Sequence, residues 1–174
     1  MKKNHINIQE LCIIGLTTAL ICVIAPLSIP MPSGVPITLQ TFVITLAAII
    51  LGAKRGASAT FIYILLGGFG LPVFSNFTGG WQTLVGPTGG FILSFPIMAY
   101  VIGLGSTSLF GIIAGTAINF TCGIAMFCIV TGSSFTIGLT TCVLPFIPLT
   151  ITKWILAYLI GVNIKKRINQ IICK

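Results

Sequence analysis

Lys153 has the clearest chemical potential in this chain, because it is a lysine inside an apolar stretch with almost no acid to pair with. The chain has 9 Lys and Arg residues, and all the others stand in clusters beside hydrophobic segments or in the tail. Lys153 instead lies within the last apolar stretch, Phe146 to Val162, and the only acidic residue, Glu10, is near the other end. An ionisable group at membrane depth is costly and usually has a partner. The sequence therefore predicts that Lys153 binds an anion from outside the chain.

Neutral hydrogen-bonding residues are expected around this lysine. They are Thr38, Gln40, Asn76, Gln82, Thr83, Thr88, Thr150 and Thr152. The sequence shows no carboxylate pair, no Ser-His-Asp set and no phosphate-binding glycine loop, so we expect no catalytic residues and no enzyme activity. One cation among amides, hydroxyls and aromatic rings suits an amphipathic small molecule that carries a carboxylate. Ordinary capping is an alternative for Gln40 and Asn76, and an interfacial position is an alternative for Trp81.

The composition is that of an integral membrane protein. Of 174 residues, 56% are hydrophobic and 6% are charged. A soluble domain of this size cannot bury so much apolar surface, so we expect one all-α transmembrane domain over residues 1–174 in a lipid bilayer. The net charge of +8 is concentrated at the ends of apolar segments, which does not favour a nucleic-acid partner. The 6 cysteines form no CxxC pair and predict no metal site, only packing as small hydrophobes.

Six apolar runs approach the length of about 20 residues that spans a bilayer. They predict helices over Ile8–Leu27, Ile37–Leu51, Gly56–Phe69, Gly89–Leu104, Thr107–Val130 and Pro145–Ile164. The first run lacks an A-x-A-like end, which favours a retained helix over a cleaved signal peptide. The basic clusters at residues 2–3, 54–55 and 165–167 fall on one side of such a bundle. The positive-inside rule then predicts a cell-membrane protein with both termini in the cytoplasm.

The connections on the opposite side are long and predict a covered cavity. They run over Pro26–Pro36, Leu71–Thr88 and Thr131–Pro145, and they are too apolar for disorder. We expect these outer loops to fold over the bundle and cap a substrate cavity. Lys153 lies 12 residues before Lys165, or about 18 Å along a helix, which places it in the outer half of the bilayer. It would either face the cavity or snorkel to the outer surface.

Gly15 and Ala19, four residues apart on the first predicted helix, form a face of small residues. Small residues at this spacing let another helix approach closely in lipid. Packing within the bundle is the alternative, and Gly111, Ala114 and Gly115 offer a similar face on the fifth predicted helix.

Several segments resemble the signature segments of the BioY family, the biotin-specific S components of energy-coupling factor (ECF) transporters. They are GVPITLQTF at residues 34–42, GLPVF at 70–74, GPTGGF at 86–91 and the turn LGAKRGA at 51–57. The similarity extends from the first predicted helix to the sixth. It implies a six-helix substrate-capture protein that holds biotin under its outer loops.

The resemblance also implies roles for individual residues. Family members carry Pro-Gly-Asp-x-x-Lys at the start of helix six, where this chain reads PLTITK over residues 148–153. The lysine is retained as Lys153, expected at the valerate carboxylate, and Thr150 stands at the aspartate position. A hydroxyl accepts a hydrogen bond without the charge-assisted strength of a carboxylate. The other expected pocket residues are Gln40 and Asn76 with Thr150 at the ureido head, Phe74, Trp81 and Phe91 at the ring and chain, and Thr38 and Thr88.

The resemblance further implies partner proteins. Gly15 and Ala19 resemble the small-residue motif through which S components contact the transmembrane coupling subunit, the T component. No nucleotide-binding motif occurs in the sequence, so we expect no cofactor on this chain and ATP hydrolysis by two partner ATPase subunits. The alternatives are a self-sufficient facilitator for biotin or a related carboxylate, and a structural membrane protein whose Lys153 only snorkels.

Overall fold

The protein is mostly helical in a computed structural model that describes residues 8–31, 35–105 and 108–172. The α-helices in these ranges are α1 (Ile8–Ile24), α2 (Gln40–Leu51), α3 (Ala53–Gly68), α4 (Trp81–Val85), α5 (Gly89–Leu104), α6 (Leu109–Thr131), α7 (Phe135–Cys142) and α8 (Ile147–Ile172). Two short strands, β1 (Ser28–Ile29) and β2 (Ile37–Thr38), follow α1. Single 3-10 turns lie at Ser75–Phe77 and Leu144–Phe146.

The helices α1, α2, α3, α5, α6 and α8 overlap the six predicted runs, and a mostly helical fold is confirmed. The expected start of the fifth run, Thr107, lies outside the described residues. Two further helices, α4 and α7, lie where the sequence predicts outer loops. Both are far shorter than a bilayer span, so a search for long apolar runs does not detect them.

The apolar surface and two of the helices in the described part of the chain suit a membrane environment. Leu109–Thr131 and Phe135–Arg167, which joins α7 to α8, are long and apolar enough to cross a membrane within the described part of the chain. The helices Ile8–Ile24, Gln40–Leu51 and Gly89–Leu104 are apolar but shorter. Large apolar side chains stand on the outside, with Phe110 78% and Ile129 81% exposed. Water would disfavour such a surface, whereas lipid does not.

Glycines bring the central helices α2, α3 and α5 into close contact. Gly52 is the single residue between α2 and α3, and its φ of 80° is a conformation that favours glycine. A Cβ at Gly103 would overlap the backbone of Ala53, so the end of α5 touches this turn directly. Around this centre, α6 packs mainly on α5 and α8 mainly on α2, while α6 and α8 barely touch each other. The packing therefore leaves a space between α6 and α8.

A small hairpin lies at one end of that space. Strand β1 pairs antiparallel with β2, with Ser28 opposite Thr38 and Ile29 opposite Ile37. The Ser28 hydroxyl donates to Asn76 Oδ1 at 2.8 Å and accepts from the Asn76 backbone N–H at 2.7 Å. The hairpin is thereby joined to the 3-10 turn that follows α3. Two of the predicted outer loops thus form one layer over the bundle, and Thr38 is held in that layer.

Candidate functional site

A cavity lies among α2, α5, α6 and α8, beneath the hairpin. Its volume is about 80 Å³, counted as the space open to the centres of water-sized molecules. Its polar wall includes Thr38, Gln40, Thr41, Asn119, Thr150 and Lys153. Its aromatic wall consists of Phe91, Phe95, Phe120, Phe146 and Trp154. An apolar cavity with a few converging polar groups is the usual form of a small-molecule site.

The Lys153 side chain reaches this cavity from α8, and its ammonium gives the cavity a positive charge. Its Nζ donates to the backbone carbonyl of Thr38 at 2.6 Å and lies 3.5 Å from Thr41 Oγ1. Both partners are neutral, and an ammonium has three donor hydrogens, so one remains for a ligand. The only acidic side chain of the chain, Glu10, is bonded elsewhere, to Arg55 at 2.6 Å. The described part of the protein therefore leaves the charge of Lys153 without a counter-ion.

Gln40 is the first residue of α2 and is almost fully buried, at 4% exposure. Its Nε2 donates to the hydroxyl of Tyr63, which in turn donates to the carbonyl of Val73 at 3.0 Å. This chain of bonds sets the orientation of the amide. Its carbonyl oxygen has no hydrogen-bond donor among the described residues and belongs to a side chain that lines the cavity.

Asn119 contributes a second buried amide, from the middle of α6. Its Nδ2 donates to the carbonyl of Phe91 at 2.8 Å and to Ser94 Oγ at 2.8 Å. The Phe91 ring itself lies against Gly123, where a Cβ would overlap the ring. The absence of a side chain at Gly123 therefore lets Phe91 reach the cavity wall.

A hydrogen bond between α6 and α8 forms the wall on the side where these helices barely touch. Trp154 Nε1 donates to Thr116 Oγ1 at 3.0 Å. Outside this contact a second, apolar cavity opens between the same helices, lined by Ile113, Ala117 and Ile151 among others. Thr116 and Trp154 line both spaces. They therefore separate the polar cavity from the apolar groove.

The structure brings together six of the nine binding residues that the sequence suggests. Thr38, Gln40, Thr88, Phe91, Thr150 and Lys153 line the cavity. Phe74, Asn76 and Trp81 do not. Phe74 is fully buried in an edge-on contact with Tyr63, with ring centroids 5.6 Å apart. Asn76 is exposed and bonded to Ser28, and Trp81 is 69% exposed.

Among the cavity residues that the sequence did not suggest are Asn119, Thr116 and Trp154. A signal was present for Asn119, because an amide in the middle of a long apolar helix is expensive in lipid and is a functional hypothesis by default. Trp154 directly follows Lys153 in sequence. No pattern in the sequence indicates that it bonds to Thr116.

The small residues Gly15 and Ala19 both lie on the exposed side of α1. A Cβ at Gly15 would meet nothing within 4 Å, so this glycine is not required by packing inside the bundle. The residue beside Ala19, Thr18, turns inward and donates to the carbonyl of Ala59 at 3.1 Å. The alternative of packing within the bundle thus applies to Thr18 and not to Gly15. Over the described residues, no three His, Cys, Asp or Glu side chains gather as a metal site would require.

Comparison with known proteins identifies a family. The sequence model of the BioY family matches residues 1–170. A biotin transporter BioY of Thermotoga maritima is 53% identical over 96 residues, which are 55% of this chain and 56% of that protein. A biotin transporter BioY of Rhizobium etli is 33% identical over 143 residues, or 73% of this chain and 76% of that protein. The alignment with the Thermotoga relative thus spans little more than half of its length.

A solved structure has the same fold. The S-component for biotin from an ECF-type ABC transporter superposes with a TM-score of 0.82 and is 25% identical, over 95% of each chain. These similar proteins are transporters or transporter components by name.

Proposed function

Because the chain belongs to the BioY family, we propose that it is the substrate-capture subunit of an ATP-driven vitamin transporter and that it binds biotin. The observation that carries the proposal is the single uncompensated ammonium of Lys153 in an otherwise neutral cavity. A buried charge of this kind is stabilised most by a ligand of opposite charge that also replaces lost hydration. Biotin has one carboxylate, an apolar ring and chain, and a ureido group.

The cavity chemistry supports each part of that ligand. Lys153 would bind the valerate carboxylate, and the aromatic wall would surround the thiophane ring and the chain. Gln40 and Thr150 would contact the ureido group, with Thr38, Thr88 and Phe91 completing the site. Phe74, Asn76 and Trp81 do not line the cavity, and their expected contacts with biotin rest on the family resemblance alone.

Six helices, α1, α2, α3, α5, α6 and α8, would cross the bilayer, with α4, α7 and the hairpin in the outer layer. The support is the distribution of charge. Lys54 and Arg55 lie at the α2–α3 turn, and Lys165, Lys166 and Arg167 lie in the last part of α8. The positive-inside rule then directs these ends, and both termini, to the cytoplasm.

Partner subunits would supply the energy for transport. The resemblance to S components suggests a T component and two ATPase subunits, with ATP bound only by the partners and no cofactor on this chain. Gly15 and Ala19 would contact the T component, because they form an exposed small-residue face on α1 where a partner helix can approach closely.

Calorimetric titration of the purified protein in detergent with biotin tests the proposal. Wild type is expected to bind, and Lys153→Ala is expected to bind much more weakly. Lys54→Ala is the matched control, because Lys54 is an exposed lysine away from the cavity and its loss should change nothing. The proposal fails if wild type does not bind biotin, or if Lys153→Ala binds as well as wild type.

A second assay separates the capture role from self-sufficient transport. Biotin uptake is measured in cells that express this chain and lack every coupling-factor subunit. The capture role predicts background uptake there and biotin retained at the membrane. Concentrative uptake in those cells would support a facilitator instead.

A further inference from the structure

Asn119 has an unusually constrained side chain for a residue that lines a cavity. It is 1% exposed, and it lies on α6 with Thr116 and Phe120 in the same wall. Both hydrogens of its Nδ2 are used, one by the Phe91 carbonyl and one by Ser94 Oγ, each at 2.8 Å. An asparagine amide has two donor hydrogens and one acceptor oxygen. Only the acceptor, Oδ1, is left.

The orientation of this amide follows from its neighbours. If nitrogen and oxygen were exchanged, Oδ1 would stand at hydrogen-bond distance from the Phe91 carbonyl oxygen, and two acceptors would face each other. In the present orientation the Ser94 hydroxyl donates to the same Phe91 carbonyl at 3.0 Å and accepts from Nδ2, so these contacts are all satisfied. The contacts to α5 thus fix Oδ1 as the free group.

No donor among the described residues reaches Oδ1. Buried polar atoms in proteins nearly always have a hydrogen-bond partner, because leaving one unpaired costs the full desolvation penalty. Here the side chain that carries the atom lines a cavity, and so the missing donor has a place to come from. A ligand bearing an N–H or O–H group can supply it.

We propose that Asn119 Oδ1 is a ligand-binding acceptor, which receives a hydrogen bond from a ureido N–H of the bound substrate. This inference rests on the proposed biotin-binding function and adds an unassigned contact to it. The amide oxygen carries partial negative charge and repels a carboxylate, whereas the ammonium of Lys153 attracts one. The two residues together therefore set the direction in which the ligand lies. Its carboxylate lies at Lys153 and one ureido N–H lies at Asn119.

Asn119 also explains how a site with few charges would select its ligand. A site built to accept a hydrogen bond rejects an analogue without the donor, because the buried acceptor is then left unpaired. Selection by Asn119 would be strict, since its amide is held from two sides and cannot rotate to offer a donor instead. Analogues with an N–H at this position are accepted, and those with a methyl group there are not.

Titration of wild type and Asn119→Leu with biotin and with its two N-methylureido isomers tests the inference. Leucine keeps a similar shape and removes the acceptor. The expected loss for biotin is about 5- to 150-fold in affinity. For the isomer methylated at the contacting nitrogen, wild type and Asn119→Leu are expected to bind equally weakly.

Two further variants control for structural damage. Ser94→Ala keeps Oδ1 and the bond to the Phe91 carbonyl, so its biotin affinity is expected within about threefold of wild type. Asn163→Leu removes an exposed amide on α8, away from the cavity, and should have no effect on binding. Thermal unfolding of each variant in the same detergent shows whether it is folded.

The outcomes separate the two proposals. If wild type does not bind biotin, the proposed function fails and the ureido contact fails with it. If wild type binds but Asn119→Leu binds equally well, the function stands and Asn119 is not a ligand contact. An equal loss for biotin and for both methylated isomers also overturns the inference, because it shows a general distortion and not a lost hydrogen bond.

Discussion

Replacing Lys153 with methionine should abolish tight binding without unfolding the protein. Methionine has nearly the same length and no charge, so it removes the ammonium and retains most of the packing. Truncating one partner of a desolvated charge pair costs about 2–5 kcal/mol. Lys153 is half-buried, which places the expected loss at about 2–3 kcal/mol, or about 30- to 150-fold in Kd.

The stability of the empty protein should respond quite differently. The substitution deprives the Thr38 carbonyl of its donor at 2.6 Å, which costs about 1–3 kcal/mol. It also removes a buried charge with no counter-ion, and replacing buried charges by apolar groups is often neutral or stabilising by about 1–4 kcal/mol. The two effects oppose each other. We expect the free energy of unfolding to stay within about 1 kcal/mol of wild type, or about 2–4 °C in Tm.

The assay is calorimetric titration of wild type and Lys153→Met with biotin and with biotin carboxamide, which has no carboxylate. For the carboxamide, the two proteins should differ by less than about threefold. The reasoning is refuted if Lys153→Met binds biotin like wild type, or if it loses as much affinity for the carboxamide as for biotin. In the second case the lysine shapes the cavity and does not bind the carboxylate.

Three further predictions concern other residues. Thr150→Asp should raise biotin affinity by about tenfold in titrations, because a carboxylate accepts an N–H more strongly than a hydroxyl does; an unchanged or lower affinity would exclude Thr150 as an acceptor. Gly123→Ala should lower the free energy of unfolding by about 1–3 kcal/mol in denaturant or thermal melts and weaken biotin binding, because its Cβ displaces the Phe91 ring; a wild-type melt and affinity would contradict this. Glu10→Gln should lower the free energy of unfolding by at most about 1 kcal/mol, and by less at high salt, because its salt bridge to Arg55 is exposed. A large, salt-independent loss in Tm would contradict this prediction.

Much of the helical framework follows from the sequence because a lipid environment imposes a simple rule. Backbone groups in lipid must bond within their own segment, so a long apolar run is a helix. This rule finds α1, α2, α3, α5, α6 and α8, with ends that differ by at most about three residues except in α8, which continues to Ile172 where the prediction ends at Ile164. It does not find α4 and α7, which are too short to span a bilayer and form because the chain packs over the bundle.

Some residues of the candidate site could be predicted from the sequence and others could not. Lys153 is detectable because a charge in an apolar run is unusual, and Gln40 because it is a hydrogen-bonding residue within the GVPITLQTF segment that resembles the family signature. Asn119 and Trp154 lie on helices that are apolar on nearly every side. The periodicity of such helices does not show which face meets lipid and which meets a cavity.

Phe74 is a residue that the sequence suggests and that the cavity lining does not include. Its place in an aromatic loop segment suggests a ligand contact, but Gly67 leaves room for its ring within α3, and the ring is fully buried there. Composition cannot distinguish an aromatic residue that packs in the core from one that lines a cavity. Both are apolar, and only the position of neighbouring helices separates them.

The sequence by itself determines the lipid environment, the six longer helices and the presence of one charge in need of a counter-ion, because these depend on local composition. The tertiary structure alone decides where that charge is held and what stands opposite it. Lys153 donates a hydrogen bond to the carbonyl of Thr38, which lies 115 positions earlier in the sequence. Asn119 is oriented by Phe91 and Ser94 on another helix. Such pairs are set by glycine-mediated packing of helices, which brings together side chains that no local pattern connects.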